Sequence, residues 1–477
     1  MLWIALHLPD LPLQVFTRGL AEAGALAVVE HRPRQQVLAA SPAARACGVE
    51  PGMRVVGALA VAPGLVLRDR DVAAERALLA VLANCAGCFS PALSLDPPDC
   101  VMLEVGTCLR LFGGLAGLIE RLADALAAQG LDVRLAAAPT PLAASWLALA
   151  RPGRRIEAKP GWTEVLNDLP IELIARGGQV SKDNLTLLRG IGADRVGAIA
   201  RLPRDALARR EAVAVSAVLA RARGEIPDPR PWYQAPPTHA SRLLLPAPVD
   251  ATEPLLFACR RLFAGLAAWL TVRLAAIDRC QVFLEHEDRP DTLIEIVTGE
   301  PGRCEARLGM LLREHLNRLE LPAPVEALRL HADCPVFQPA RSQDLFGDPH
   351  AARDGALRLV DRLCARLGND AVFGLRLQDG HRPETAWSAM RPGHRPASGV
   401  QAAPGQRPLW LLDEPRPLAA IDELRLLSGP ERIESGWWDG HDIRRDYFVA
   451  RGPDDALWWI FRALDEPGGW YVHGYFG

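Results

Sequence analysis

The stretch from residue 241 to residue 335 constrains the fold most, because its apolar spacing switches between strand and helix periods in a fixed order. Alternation at residues 242–245 predicts a strand, and 3.6-residue spacing over 253–274 predicts a long amphipathic helix. Residues 279–285 and 292–297 predict two more strands, 303–319 a second helix and 325–330 a final strand. This β-α-β-β-α-β order is the split βαβ arrangement, in which two helices cover one face of an antiparallel sheet.

The flanking segments read differently. Within residues 1–150, strands at 2–6 and 133–137 alternate with helical spacing at 72–82 and 115–128, which predicts an α/β segment with a central sheet. Residues 160–230 are helical in pattern, broken by Gly177-Gly178, by Gly190-Ile191-Gly192 and by Pro203. After a polar stretch at 338–350 comes a helix around 357–367. Residues 381–408, crowded with Pro, Gly and Arg, predict a loose linker. The end of the chain holds 11 of the 28 aromatic residues between Trp437 and Phe476, which predicts a separate aromatic-cored β-meander.

A chain of 477 residues exceeds one core and predicts roughly three or four domains. No 18-residue apolar run lacks charge, so no membrane span is expected, and residues 1–8 read as a buried strand rather than a signal peptide. Ten cysteines without regular spacing read as reduced packing residues of the cytosol. The net charge of −3 argues against a general nucleic-acid coat. Its distribution is uneven: residues 151–240 carry a net of +5 and residues 241–340 a net of −3, so the helical block is the better candidate to hold a phosphate backbone.

Four local motifs bear on function. Gly190-Ile191-Gly192 either aims backbone N–H groups at a DNA phosphate or simply joins two helices through a positive φ; Lys182, Arg189, Arg195 and Arg201 nearby favour the phosphate. Ser342-Gln343-Asp344-Leu345-Phe346 sets an apolar pair on a polar, Pro-flanked segment. It either fills a partner's pocket or tucks against its own domain. Cys85 and Cys88 form a lone CxxC without the further ligands that zinc needs. Trp437-Trp438 and Trp458-Trp459 read as core of the aromatic unit rather than as a stacking platform for single strands. No cofactor-binding loop of the GxxxxGK[ST] type is present.

Taken in order, these blocks resemble the Y-family translesion DNA polymerases. The local match includes Ala44-Arg45-Ala46-Cys47-Gly48-Val49-Glu50-Pro51-Gly52-Met53 in the fingers, and Leu169-Pro170-Ile171, Gly190-Ile191-Gly192 and Leu202-Pro203 in the thumb. The runs Leu109-Arg110-Leu111-Phe112-Gly113-Gly114, Gly436-Trp437-Trp438 and Arg445-Asp446-Tyr447 resemble the non-catalytic branch of that family and extend the match over nearly the whole chain. The resemblance implies a palm and fingers at 1–155, a helical thumb at 156–235, a little finger at 241–336, a clamp-binding linker at 337–350 and a partner-binding region at 351–477.

The family's polymerase chemistry needs several carboxylates converging on two magnesium ions roughly 4 Å apart. On that alignment the first aspartate falls at His7, the next near Pro9, and the later Asp-Glu pair at Asp96-Pro97. Arg45 remains as a vestigial phosphate-binding group, but Pro42 stands at the usual tyrosine and Pro141 at the usual palm lysine. Arg151-Pro152 replaces a Lys-Pro, and no lysine occurs in residues 1–150. The resemblance therefore implies a non-enzymatic, cytoplasmic, nucleoid-associated adaptor with no metal or cofactor. It would hold template-primer DNA through Lys182, Arg189, Gly190, Ile191, Gly192 and Arg195. It would bind the β sliding clamp through Ser342, Gln343, Asp344, Leu345 and Phe346, and the tail would dock an ImuA-type RecA-like protein and an error-prone C-family DNA polymerase. The alternative is an active polymerase using Asp10, Asp96 and Glu104 in shifted positions.

Overall fold

A computed structural model describes the chain except residues 19–23, 32–34, 177–179, 203–212, 339–350, 369, 379, 391, 393–406, 420, 439, 441, 466–468 and 477, and the side chains of 246 and 351–354. It divides into two compact units, Met1–Ala352 and Arg353–Gly477. The fold class expected from the sequence is the one observed: an α/β sheet region, a helical segment, a β-α-β-β-α-β layer and a C-terminal β unit.

The first unit is organised on a four-stranded antiparallel sheet in the order Leu93–Asp96, Cys100–Glu104, Trp3–His7, Arg134–Ala138. All five residues of Trp3–His7 are buried, because helices cover both faces of this central strand. Ile4, Leu6, Val101 and Leu103 pack against the helices Val72–Gly87 and Leu115–Ala128. Trp3, Ala5, Met102, Ala136 and Ala138 face the other way, and three of these five are alanines, which lets the helix Pro141–Ala150 approach closely with Trp146 fully buried. The same apolar cluster continues through Leu166, Ile171, Leu188, Val196 and Val218 of the helical segment, so sheet and helices share one core. Beside it a small sheet, Gln36–Ala40, Leu26–Glu30, Val66–Asp69, carries the short helices Pro42–Ala46 and Val55–Val61. Ser41, Asp71, Thr140 and Ser181 each accept a hydrogen bond from the backbone N–H three residues on, capping their helices for about 1 kcal/mol apiece.

The split βαβ layer orders its strands Thr292–Gly302, Ala275–Glu285, Val325–Ala332, His239–Val249, with Thr252–Val272 and Glu305–Leu316 as its helices. Thr252–Val272 is long and apolar enough by composition to cross a membrane, with a mean hydropathy of 1.5. Its apolar side is buried, through Leu255, Leu262, Phe263, Leu266, Trp269 and Leu270, as expected of a core helix. It also packs against Val72–Gly87. Any side chain at Gly87 would press a Cβ to 2.6 Å from Val272 Cγ2, which is why the contact takes glycine. Of the CxxC pair, Cys85 is buried and Cys88 exposed, and burial pushes the Cys85 thiol up to about 12, consistent with a packing role.

In the second unit a five-stranded antiparallel sheet runs in the order Trp410–Pro417, Trp470–Tyr475, Leu457–Ala463, Ile443–Arg451, Arg425–Ser435, so the last four strands form the expected meander. Tyr447, Trp459 and Phe461 pack on one face, with Tyr447 and Trp459 stacked at 4.1 Å. The expectation that both tryptophan pairs are core needs correcting. Trp459 is 2% exposed, whereas Trp437 and Trp438 are 78% and 61% exposed on the connection between two strands. The expected loose linker also begins with order: Trp387–Met390 pairs with Gly374–Leu377, and Trp387 stacks on Phe373. Glu384, in the turn before that strand, accepts a hydrogen bond from Arg445 at 2.5 Å.

Candidate functional site

The register of the first sheet decides which side chains meet. His7 lies opposite Cys100, and Cys100 opposite Asp96, so these three sit in a row on one face at one end of the sheet. Asp99 occupies the hairpin between the strands Leu93–Asp96 and Cys100–Glu104, and His7 Nε2 lies 3.4 Å from its Oδ2. Sequence reasoning placed His7, Pro9, Asp96 and Pro97 at this end. Pro9 is buried and its carbonyl accepts a hydrogen bond from Gln14, while Pro97 is exposed on the hairpin.

Each carboxylate here is held by an arginine. Arg230 Nη1 donates to Asp96 Oδ1 at 2.6 Å, Ser145 Oγ donates to Asp96 Oδ2 at 3.2 Å, and the same guanidinium donates to Asp228 at 2.9 Å. Arg176 donates to both oxygens of Asp99 and lies 3.1 Å from Cys100 Sγ. Burial works to raise the Asp99 pKa, but hydrogen bonds from His7 and Arg176 and the charge of Arg176 hold it down at about 2. Cys100 offers no thiolate, since burial pushes it up to about 12. The third carboxylate, Asp10, caps a helix in the left-handed region (φ 49°) and takes a hydrogen bond from Arg45 Nη2 at 2.5 Å.

This donor set does not fit a pair of magnesium ions. Octahedral cations need free oxygen ligands converging on one point, whereas Asp99 accepts at both oxygens from Arg176, Asp96 from Arg230 and Ser145, and Asp10 at one oxygen from Arg45. Among the described residues no group of three or more His, Cys, Asp or Glu side chains is arranged to hold a metal. Of the alternative set of Asp10, Asp96 and Glu104, register sets Glu104 apart. Glu104 lies opposite Trp3, four residues from the pairing of Cys100 with His7, or about 13 Å along the sheet. Its carboxylate accepts from the backbone N–H groups of Leu2 and Gly106 at 3.3 and 3.1 Å.

Asp99, Arg176 and Arg230 escaped sequence reasoning. The arginines lie 77 and 134 residues from their partners and carry no local motif. Asp99 was findable, as a carboxylate just beyond the Asp96-Pro97 pair.

Lys182 opens the helix Lys182–Gly190 and is exposed, as are Arg189, Gly190, Ile191, Gly192 and Arg195. Gly192 has a φ of 79°, so the turn between the helices does need a glycine. The N–H groups of Ile191, Gly192 and Ala193 bond to carbonyls of residues 187–189, leaving the side chains as the groups best able to meet a phosphate. Arg189 donates to Glu172 at 2.7 Å and Arg195 to the Asp168 carbonyl at 2.8 Å.

The uncovered face of the split βαβ sheet is charged but internally matched. Arg242 donates to Glu285 at 2.7 Å; Arg329 donates to Asp291 at 2.7 Å and stacks its guanidinium 3.9 Å from the Phe283 ring centre. The segment Ser342, Gln343, Asp344, Leu345, Phe346 lies outside the described residues.

Residues 14–148 match the model of the impB/mucB/samB family. Protein ImuB from two strains of Caulobacter vibrioides is 29% identical over 464 residues, covering 90% of this chain and all of the relative. Among solved structures, a Dbh ternary complex with partially disordered substrates aligns at 18% identity and a TM-score of 0.41, and DinB from Sulfolobus solfataricus at 17% and 0.38; each covers 71% of this chain and all of the other. The chain is a homologue of the Caulobacter ImuB proteins along nine-tenths of its length, with an impB/mucB/samB-family domain at residues 14–148.

Proposed function

We propose that the chain is a non-catalytic adaptor in error-prone translesion synthesis and damage-induced mutagenesis, acting in the cytoplasm on nucleoid DNA. The observation that carries this reading is the pairing of Asp96 and Asp99 with Arg230 and Arg176 where a polymerase needs free carboxylates. In this reading residues 1–155, 156–235 and 241–336 act as palm and fingers, thumb and little finger without chemistry. Primer extension with Mg²⁺ or Mn²⁺ tests it. No templated incorporation is expected; incorporation abolished by Asp96→Ala would return the chain to the polymerases.

Template-primer binding is assigned to Lys182, Arg189 and Arg195 rather than to the split βαβ sheet, because residues 151–240 carry a net of +5 and residues 241–340 a net of −3. Reversing Arg189 and Arg195 to Glu should weaken binding to primed DNA. Each lost phosphate contact should lower the slope of log K against log salt by about 1. An unchanged slope removes the assignment. Ser342–Phe346 is proposed to tether the chain to a β sliding clamp with micromolar strength, about −8 kcal/mol, through Leu345 and Phe346. Residues 351–477 are proposed to dock an ImuA-type RecA-like protein and a C-family polymerase. Linking weak contacts on one chain raises effective concentration at a lesion, so none needs to be strong alone. Clamp binding that survives replacing both Leu345 and Phe346 with Ala would remove the tether.

A further inference from the structure

The two guanidinium groups at the sheet end belong to segments that lie outside the sheet. Arg176 caps the 3-10 turn Ile171–Ala175, and Arg230 sits in residues 225–237, which lead from the helix Val213–Arg223 to the strand His239–Val249. That connecting stretch touches the first sheet at several points. The Tyr233 N–H donates to the Leu93 carbonyl at 2.7 Å, its hydroxyl bonds Asn84 Oδ1 at 3.1 Å, and Trp232 stacks parallel to Trp3 at 6.1 Å. The side chain of Arg230 is 13% exposed and that of Asp96 is 9% exposed; the values for Arg176 and Asp99 are 16% and 21%. Between the pairs lies a cavity of about 780 Å³, lined by Asp96, Arg176, Glu172, Val218 and Arg230.

We propose that Arg176 and Arg230 form a cation-independent latch that fastens the helical segment and the connecting stretch to the carboxylate end of the sheet. Two carboxylates three residues apart on one hairpin repel each other unless positive charge sits between them and their surroundings. Here the chain itself supplies that charge from two places, so the sheet end keeps its geometry whether or not a divalent ion is in solution. Arg230 bridges Asp96 and Asp228 with separate nitrogens, a two-sided reach that the point charge of lysine does not reproduce. Removing Arg230 alone leaves the charges of Asp96 and Asp228 unmatched, while neutralising all three leaves no buried charge without a partner; the two cases differ sharply in cost.

Hydrogen–deuterium exchange on the full chain tests the latch separately from the adaptor reading, which rests on primer extension. Arg230→Met and Asp96→Asn should each speed exchange of the 225–237 amides, Tyr233 above all, by about tenfold or more, with peptides from 425–475 unchanged. The triple variant Asp96→Asn, Asp228→Asn and Arg230→Met, which leaves none of the three charged, should return exchange to within about threefold of the parent. Millimolar Mg²⁺ should leave the parent unchanged. Should Arg230→Met fail to fold, Arg230→Lys gives the same reading, with faster exchange of 225–237 expected. The latch is overturned by parent-like exchange in the single variants, by a triple variant no slower to exchange than the worse single, or by protection that depends on Mg²⁺.

Discussion

Two surfaces of the first unit are built from the same residue types and behave as opposites. At the end of the first sheet, Arg230–Asp96 and Arg176–Asp99 are largely buried and join segments far apart in the chain. On the uncovered face of the split βαβ sheet, Arg242–Glu285 and Arg329–Asp291 lie within one sheet, with the Arg242 side chain 53% exposed. A buried pair has surrendered its hydration, so losing one partner strands a charge that water cannot reach. An exposed pair trades one well-solvated arrangement for another and contributes about 1 kcal/mol or less. The lesson is that an arginine beside an acid identifies neither a DNA grip nor a metal site by itself: burial decides which of these charges are structural, and exposure which remain within reach of a ligand.

The largest effect should come from breaking the buried side. Asp99→Ala leaves Arg176 beside Cys100 without its carboxylate and should lower stability by about 3–5 kcal/mol in urea unfolding. A loss below about 1 kcal/mol would place this pair with the exposed ones and dissolve the contrast.

Acid sharpens the comparison. His239, 3% exposed at the start of the strand His239–Val249 beside Trp269, has its pKa pushed down to about 4 by burial, with the charges of Arg18 and His331 adding. The unfolded chain therefore binds a proton that the folded chain refuses between pH 6.5 and 4, so stability falls as pH drops through that window and levels off below it. The shift corresponds to roughly 3 kcal/mol. Asp99 loses stability in the same direction but in a lower window: its depressed pKa adds stability that is complete above the ordinary carboxylate range and disappears only as pH falls toward 2. Unfolding at pH 7 and pH 4.5 should thus show a loss that His239→Gln reduces and Asp99→Asn does not. An equal loss in the parent and in His239→Gln would remove the histidine from the account.

Much of this was legible in the sequence. The β-α-β-β-α-β layer follows the expected order because its apolar residues switch period cleanly, and the tail's meander was read from the runs at 446–450 and 457–461 between glycine turns. His7 and Asp96 were placed together because the family resemblance aligns both with its metal-binding carboxylates. Arg176 and Arg230 were invisible because a long-range ion pair leaves no periodic trace in either partner's neighbourhood. Trp437 and Trp438 misled for a related reason: aromatic identity signals apolar area but not its direction, and here the connection carries both rings outward while Trp459, within a central strand, faces the core. The strand Trp387–Met390 was read as linker because a four-residue strand among prolines and glycines offers too few alternations to count.

The smallest effect belongs to the exposed face, and it is the most informative about function. Arg242→Ala removes two hydrogen bonds to Glu285, but Arg329 still reaches that carboxylate at 3.3 Å, and water can solvate what remains. The cost should stay below about 1 kcal/mol in urea unfolding. Because residues 241–340 carry a net of −3, the same substitution should leave affinity for primed DNA nearly unchanged, in contrast to reversal of Arg189 and Arg195 in the basic segment. A marked fall in affinity with little change in stability would mean that this arginine leaves Glu285 to meet a phosphate. The split βαβ sheet would then join the helical turn as a DNA surface, and the division between structural and available charge would have to be redrawn there.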